Sequence, residues 1–429
     1  MKGSRAMLEI MRNRTFGRLF AAQVVALVGT GLLTVALGLL AYDLAGSRAG
    51  AVLGTALTIK MVAYVAVAPV ISALTDRVPR TVLLVGADVI RAVLAVLFPL
   101  VDQTWQVYVL IFVLQAASAT FTPAFQSIIP AVLVNEDDYT RGLSLSRLAY
   151  DLESLLSPTI AAALLTVISY NNLFVGTAIG FALSATLVLA SRLPARTDEE
   201  SGLTFWQRLP LGVQVFARTK TLRFLLLTNV VVAAGTAIVL VNSVVYAKGL
   251  FGLDDAALAV TLACYGIGSL LVALNVPWIV ERIGVVRTMM AGAAVITVGL
   301  VAAVIVTAVD TATGTGWAWL LATWVLLGMG TSLVNTPSSR LLADASTPTN
   351  RNLVYTAQFA LSHACFLITY PIAGWIGAIS LTAAAGVLLA IATVTAVAAI
   401  GYATTQRLRA SSDQAAPAPA APIDENTRS

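Results

Sequence analysis

Long apolar runs separated by short polar breaks dominate the chain. They fall near 17–42, 49–72, 82–101, 105–127, 143–168, 173–192, 222–246, 256–279, 287–309, 317–336, 354–376 and 379–402. Each is long enough to carry a helix across a bilayer, which takes about 20 residues. None alternates with the period of two that a membrane barrel strand requires. In lipid the backbone must satisfy its polar groups within the segment. The pattern therefore predicts twelve transmembrane helices and an all-α membrane protein.

Twelve spans place both termini on one side, and charge says which. With the N-terminus inside, 22 of the 26 Lys and Arg lie at or beyond cytoplasmic helix ends. Arg48 and Lys248 fall outside, and Lys60 and Arg91 within spans. That asymmetry predicts cytoplasmic termini. It also accounts for the net charge of +5 and the pI near 9.3 without a nucleic-acid partner.

Composition agrees. Charged residues make up only 11% and the mean hydropathy is +0.87, too apolar for a water-soluble enzyme or a disordered chain. Cys264 and Cys365 both lie in apolar runs, so no disulfide framework is implied. Trp105, Trp317 and Trp319 open the fourth and tenth runs, as an interfacial belt would. No phosphate-binding loop, zinc-protease motif or nucleophile elbow occurs. The expectation is no cofactor and no enzyme.

The two halves repeat. Thr122-Pro123 ends run four and Thr336-Pro337 ends run ten, and Pro158 in run five corresponds to Pro371 in run eleven. The predicted organisation is a lead-in over 1–16, a six-helix lobe over 17–192, a linker over 193–221, a second lobe over 222–403 and a disordered tail over 404–429. The linker mixes Phe205, Trp206, Leu209, Leu211, Val213 and Val215 with Arg208 and Gln214, which suits an interfacial helix. Two parallel six-helix repeats form a transporter architecture, with the site between the halves near mid-membrane.

Run two ends in Ser72-Ala-Leu74-Thr-Asp76-Arg77-Val-Pro79-Arg80, and run eight in Pro277-Trp-Ile-Val-Glu281-Arg282-Ile-Gly284. The first resembles the signature of the major facilitator superfamily, G-x-L-a-D-R-x-G-R-[RK], matching at Leu74, Asp76, Arg77 and Arg80. Ser72, Pro79 and Thr81 depart from it. The resemblance implies a gating role for Asp76, Arg77, Arg80, Glu281 and Arg282. Gly86-Ala-Asp88-Val-Ile-Arg91-Ala and Phe121-Thr-Pro123-Ala-Phe-Gln126 are similar to the bacterial siderophore-exporter and actinobacterial drug-efflux branch. Leu361-Ser-His363-Ala-Cys365 and Tyr370-Pro371-Ile-Ala-Gly374-Trp375 bear a weaker similarity to nickel- and cobalt-resistance members. The antiporter motif G-x-x-x-G-P-x-x-G-G is half present: Pro158 matches, while Glu153, Ser157, Ala161 and Ala162 stand at its glycines. No base occurs near Gln115, where the drug-antiporter pattern carries one.

Charges inside the bilayer are costly and point to function by default. Asp88 and Arg91, three apart, share a helix face and can pair structurally. Lys60 lies 16 residues before Asp76, about 24 Å at helical rise. It needs a partner from another helix, and run five offers Asp151 and Glu153 on different faces. His363, the single histidine, is predicted near the midplane as the repeat partner of Tyr150; it is either a titrating group or a hydrogen-bonded one. Gln23, Asn242-Ser243 and Asn335-Thr336 are candidate substrate contacts or helix-to-helix bonds.

These features predict a secondary active exporter of a drug-like or siderophore-like small molecule. It is expected to be proton-coupled, monomeric and multi-pass in a bacterial inner membrane, with lipid and protons as its other partners. Nickel or cobalt efflux is the alternative, with His363 and Cys365 as ligands. The i, i+2 spacing of that pair does not share a helix face.

Overall fold

A computed structural model describes residues 10–67, 78–133, 159–191, 193, 205–307, 315–346 and 351–415, with isolated positions between 135 and 157. Among these residues there is no strand. The helices are α1 (Arg14–Ala45), α2 (Ala49–Val62), α3 (Arg80–Leu97), α4 (Thr104–Val132), α5 (Tyr170–Ala190), α6 (Phe205–Arg218) and α7 (Lys220–Val244). They continue as α8 (Asp255–Ala273), α9 (Val276–Ile283), α10 (Val285–Val306), α11 (Thr315–Asp344), α12 (Arg351–Pro371) and α13 (Leu381–Ala415).

Nine helical stretches among the described residues are long and apolar enough to cross a membrane. The first, Arg14–Val67, contains the first predicted run and the second as far as Val67, broken where Gly46 takes φ 54°. Run five is described only at isolated positions as far as Ser157 and continuously from Thr159, so the count of twelve remains an expectation. Asp76, Arg77, Tyr150 and Asp151 also lie outside them. The last helix continues to Ala415, past residue 404, where the sequence pattern places a disordered tail. The apolar run of α13 stops near Ala403, but no Gly or Pro follows to end the helix until Pro417.

Local chemistry sets the helix ends. The Asn13 side chain accepts hydrogen bonds from the amides of Thr15 (3.1 Å) and Phe16 (3.2 Å) and starts α1. Asp254 does the same for α8 through Ala257 N–H at 2.8 Å. Gly284, at φ 82°, turns the chain between α9 and α10 beside Glu281 and Arg282. The linker helix expected near Leu203–Phe216 is α6, which packs on α12. A methyl group built on Gly212 would lie 2.3 Å from the Leu353 carbonyl oxygen.

Packing within each lobe relies on close backbone approach, the usual means in a membrane, where apolar burial gains little. In the N-terminal lobe α1 meets α5, with Thr177 Oγ1 donating to Gly29 O at 2.8 Å. In the C-terminal lobe α8 meets α11, and a methyl on Gly328 would fall 1.9 Å from Tyr265 O. Trp324 is fully buried there, donating to Ser243 Oγ at 2.7 Å with the Tyr246 ring edge-on to it. The opposite faces are apolar and exposed: Val82, Val89, Val93 and Val96 on α3, Val298, Val301 and Ile305 on α10, Val394 and Val397 on α13. In a soluble protein such stripes would aggregate; in a bilayer they face lipid.

The lobes meet at the end carrying Gly46, the end that the charge count assigns to the outside. A methyl on Gly54 of α2 would lie 2.7 Å from Gly374 Cα and from Tyr370 O. Trp375 Nε1 donates to Thr55 Oγ1 across the same seam at 3.0 Å. Lys248, ion-paired to Asp255, sits 5.2 Å from the centre of the Tyr42 ring.

Candidate functional site

Lys60 lies in the last turn of α2, followed by a π-helical turn over Ala63–Val67. Single π turns inside longer helices recur at functional sites. Lys60 is half-buried and interacts electrostatically with Glu153 of run five. The same ammonium acts on the His363 imidazole of α12. Lys60 thus lies within electrostatic reach of ionisable groups from two other runs, one in its own lobe and one in the other.

His363 is fixed on both sides. Its Nδ1 donates to the Phe359 carbonyl at 2.7 Å, the only role open to a nitrogen facing a carbonyl oxygen. Its ring stacks on Tyr64, with centroids 5.4 Å apart and planes 16° from parallel, and lies 4.2 Å from the Phe359 ring. Nε2 is left as the second ring nitrogen for chemistry. Tyr64 and Phe359 escaped the sequence analysis, although their spacing could have revealed them. Tyr64 is four residues after Lys60 and Phe359 four before His363, so each shares its partner's helix face.

The C-terminal lobe adds hydroxyls. Tyr265 OH of α8 lies 3.1 Å from Thr236 Oγ1 of α7 and donates to Thr331 Oγ1 of α11 at 3.2 Å. These too were missed, because scattered hydroxyls in apolar runs carry no spacing signal.

Asp88 and Arg91 form an ion pair enclosed by α3, α4 and α5. Asp88 accepts from Ser184 Oγ at 2.7 Å. The Arg91 guanidinium lies 4.4 Å from the Phe121 ring centre and 4.5 Å from that of Phe181. Asp88 is fully buried and Arg91 nearly so, as a structural pair would be.

Among the uncharged candidates, buried Gln23 is hydrogen-bonded to Ser146, with Nε2 2.7 Å from Oγ. Asn242 is buried where α7 meets the π turn Ile372–Ile376 that follows α12, with Nδ2 donating to Ala373 O at 3.1 Å. Asn335 is half-buried, and its backbone carbonyl accepts from Ser338 Oγ at 2.6 Å. Glu281 and Arg282 are exposed at the Gly284 turn, where Arg282 stacks on Trp278 at 4.0 Å. Arg80 opens α3. Cys365 is buried, and its thiol donates to the Leu361 carbonyl at 3.2 Å. Among the described residues no three His, Cys, Asp or Glu are grouped to hold a metal ion.

The macrolide efflux protein A of Streptococcus pyogenes is 27% identical over 221 residues, covering 50% of this chain and 54% of that protein. The Enterococcus faecalis protein of the same name is 28% identical over 173 residues, covering 39% and 53%. The chain thus spans about half the length of these curated relatives. Among solved structures, the nucleoside transporter NupG aligns over 90% of this chain and 98% of its own, with TM-score 0.63 and 14% identity. A POT family transporter in complex with 5-aminolevulinic acid aligns over 91% and 96%, with TM-score 0.69 and 13% identity. A bacterial metal transporter aligns over 91% and 98%, with TM-score 0.65 and 14% identity. At such identities these likenesses concern the fold. A family model described as Major Facilitator Superfamily matches residues 19–311 and, in a second match, 225–427. The chain is a multi-pass membrane protein and belongs to the Major Facilitator Superfamily.

Proposed function

We propose that the protein is a secondary active exporter of an amphiphilic small molecule from a bacterial cytoplasm, driven by proton entry. It works as a monomer in the cytoplasmic membrane with both termini inside, and its two lobes rock to give alternating access. The observation that carries this reading is the stack of Tyr64 on His363, which joins the lobes one turn from Lys60, with Glu153 within electrostatic reach of that lysine. Coupling to protons needs a group that binds a proton when open to one side and releases it when open to the other. A carboxylate held near a lysine and opened to one side and then the other as the lobes move meets that need. In this scheme Glu153 carries the proton and Lys60 is its internal counter-charge. His363 and its aromatic neighbours bring the second lobe to the same place.

Export, and a macrolide as the first compound to try, are supported by the names of the relatives. The loop carrying Asp76 and Arg77, with Arg80, Glu281 and Arg282, forms the cytoplasmic gate in this reading. The metal alternative draws less support, because among the described residues no three His, Cys, Asp or Glu are grouped to hold a metal ion. The test is uptake of a labelled macrolide by proteoliposomes under an imposed pH gradient. Accumulation that collapses with a protonophore is expected. Nickel or cobalt movement without macrolide movement would overturn the reading in favour of metal efflux.

A further inference from the structure

The coupling scheme assigns a proton to Glu153 but leaves open what holds its carboxylate in place. A methyl group built on Gly31 of α1 would lie 1.9 Å from Ser157 Cβ, 2.0 Å from Ser157 Oγ and 3.2 Å from Glu153 Oε1. No real side-chain carbon fits at such distances. Gly31 is therefore a notch in α1 that receives run five at Ser157, with the Glu153 carboxylate at its rim. Glu153 and Ser157 are four residues apart, one above the other on the same helix face. Ser157 is 1% exposed, and its buried Oγ has no hydrogen-bond partner among the described residues. An unpartnered hydroxyl buried in this way is costly, and it lies on the same notch as a carboxylate oxygen. Ser157 also stands where the resembled antiporter motif has a glycine; the space absent from run five is supplied from α1.

We infer that Gly31 and Ser157 are positioning residues for Glu153, together forming a seat that keeps its carboxylate facing Lys60. The inference rests on the reading of Glu153 as the coupling carboxylate, and it makes a size-swap prediction. Gly31→Ala closes the notch and displaces run five. Gly31→Ala combined with Ser157→Gly reopens it from the other side.

The experiment compares wild type, Gly31→Ala and the double variant in proteoliposomes by two readouts: macrolide accumulation driven by a pH gradient, and exchange of macrolide for macrolide without one. Gly31→Ala is expected to lose gradient-driven accumulation by on the order of tenfold while keeping exchange, and the double variant to regain it. A merely structural defect would lower both activities together. Unchanged drive in Gly31→Ala, or no recovery in the double variant, overturns the seat. If Gly31→Ala fails to reach the membrane, the double variant decides by the same criteria. A third readout separates the seat from the coupling scheme. In a Glu153→Cys background, the rate of maleimide labelling should change with Gly31→Ala and return with Ser157→Gly. If labelling responds in this way while Glu153→Gln remains gradient-driven, the coupling scheme fails and the seat stands. Labelling indifferent to Gly31 overturns the seat.

Discussion

Arg91 shows how a charge is kept inside a membrane lobe: a carboxylate on its own helix, a serine that also holds that carboxylate, and two aromatic faces. The spacing to Asp88 announced the pair in the sequence; Ser184, Phe121 and Phe181 did not announce themselves, because the contacts run between helices. Asp88→Asn leaves the guanidinium buried without its counter-charge, a change of about 3–5 kcal/mol where such pairs are broken. The expected outcome is a marked drop in melting temperature and yield in detergent, whereas conservative Arg91→Lys should lose less. A melting curve unmoved by Asp88→Asn contradicts the structural role. Lys60 calls for a different test, because its partner is across a helix gap. Lys60→Ala should impair folding yield or transport, and Lys60→Ala with Glu153→Gln should recover part of the loss, since both ends of the pair are then neutral. If the double variant is no better than Lys60→Ala alone, the two charges do not act as a pair.

At the scale of helices the apolar runs were legible, since bilayer thickness and backbone satisfaction leave few alternatives. Less legible were the π turns at Ala63–Val67, Val245–Leu250 and Ile372–Ile376. They insert a residue without changing hydropathy, and so leave no mark on the pattern. The contact between α2 and α12 was equally hidden, because glycines in membrane helices are common and only the fold shows which ones touch. At that seam Gly54→Leu would force α2 from α12. We predict faster labelling of an Asn242→Cys reporter by a membrane-impermeant maleimide added to intact cells, by several-fold or more against the same reporter with Gly54 intact. Unaltered labelling would mean that the Gly54–Gly374 approach does not hold the outer end closed. The experiment also checks which end faces outward, since the reagent reaches one side only.

At the scale of the whole molecule, the repeat of prolines and the 22-of-26 charge bias pointed to two lobes and an orientation. What neither could provide was which charges share a space. Lys60, Glu153 and His363 lie on three different helices, and their meeting depends on how the lobes are assembled. Asp151, an equal candidate by sequence, lies outside the described residues, so the coupling account rests on Glu153. The most direct test is macrolide transport by Glu153→Gln in proteoliposomes, with and without an imposed pH gradient. The account predicts that Glu153→Gln still exchanges macrolide for macrolide at near wild-type rate but no longer accumulates it in response to the gradient. Gradient-driven accumulation at the wild-type level in Glu153→Gln would contradict it.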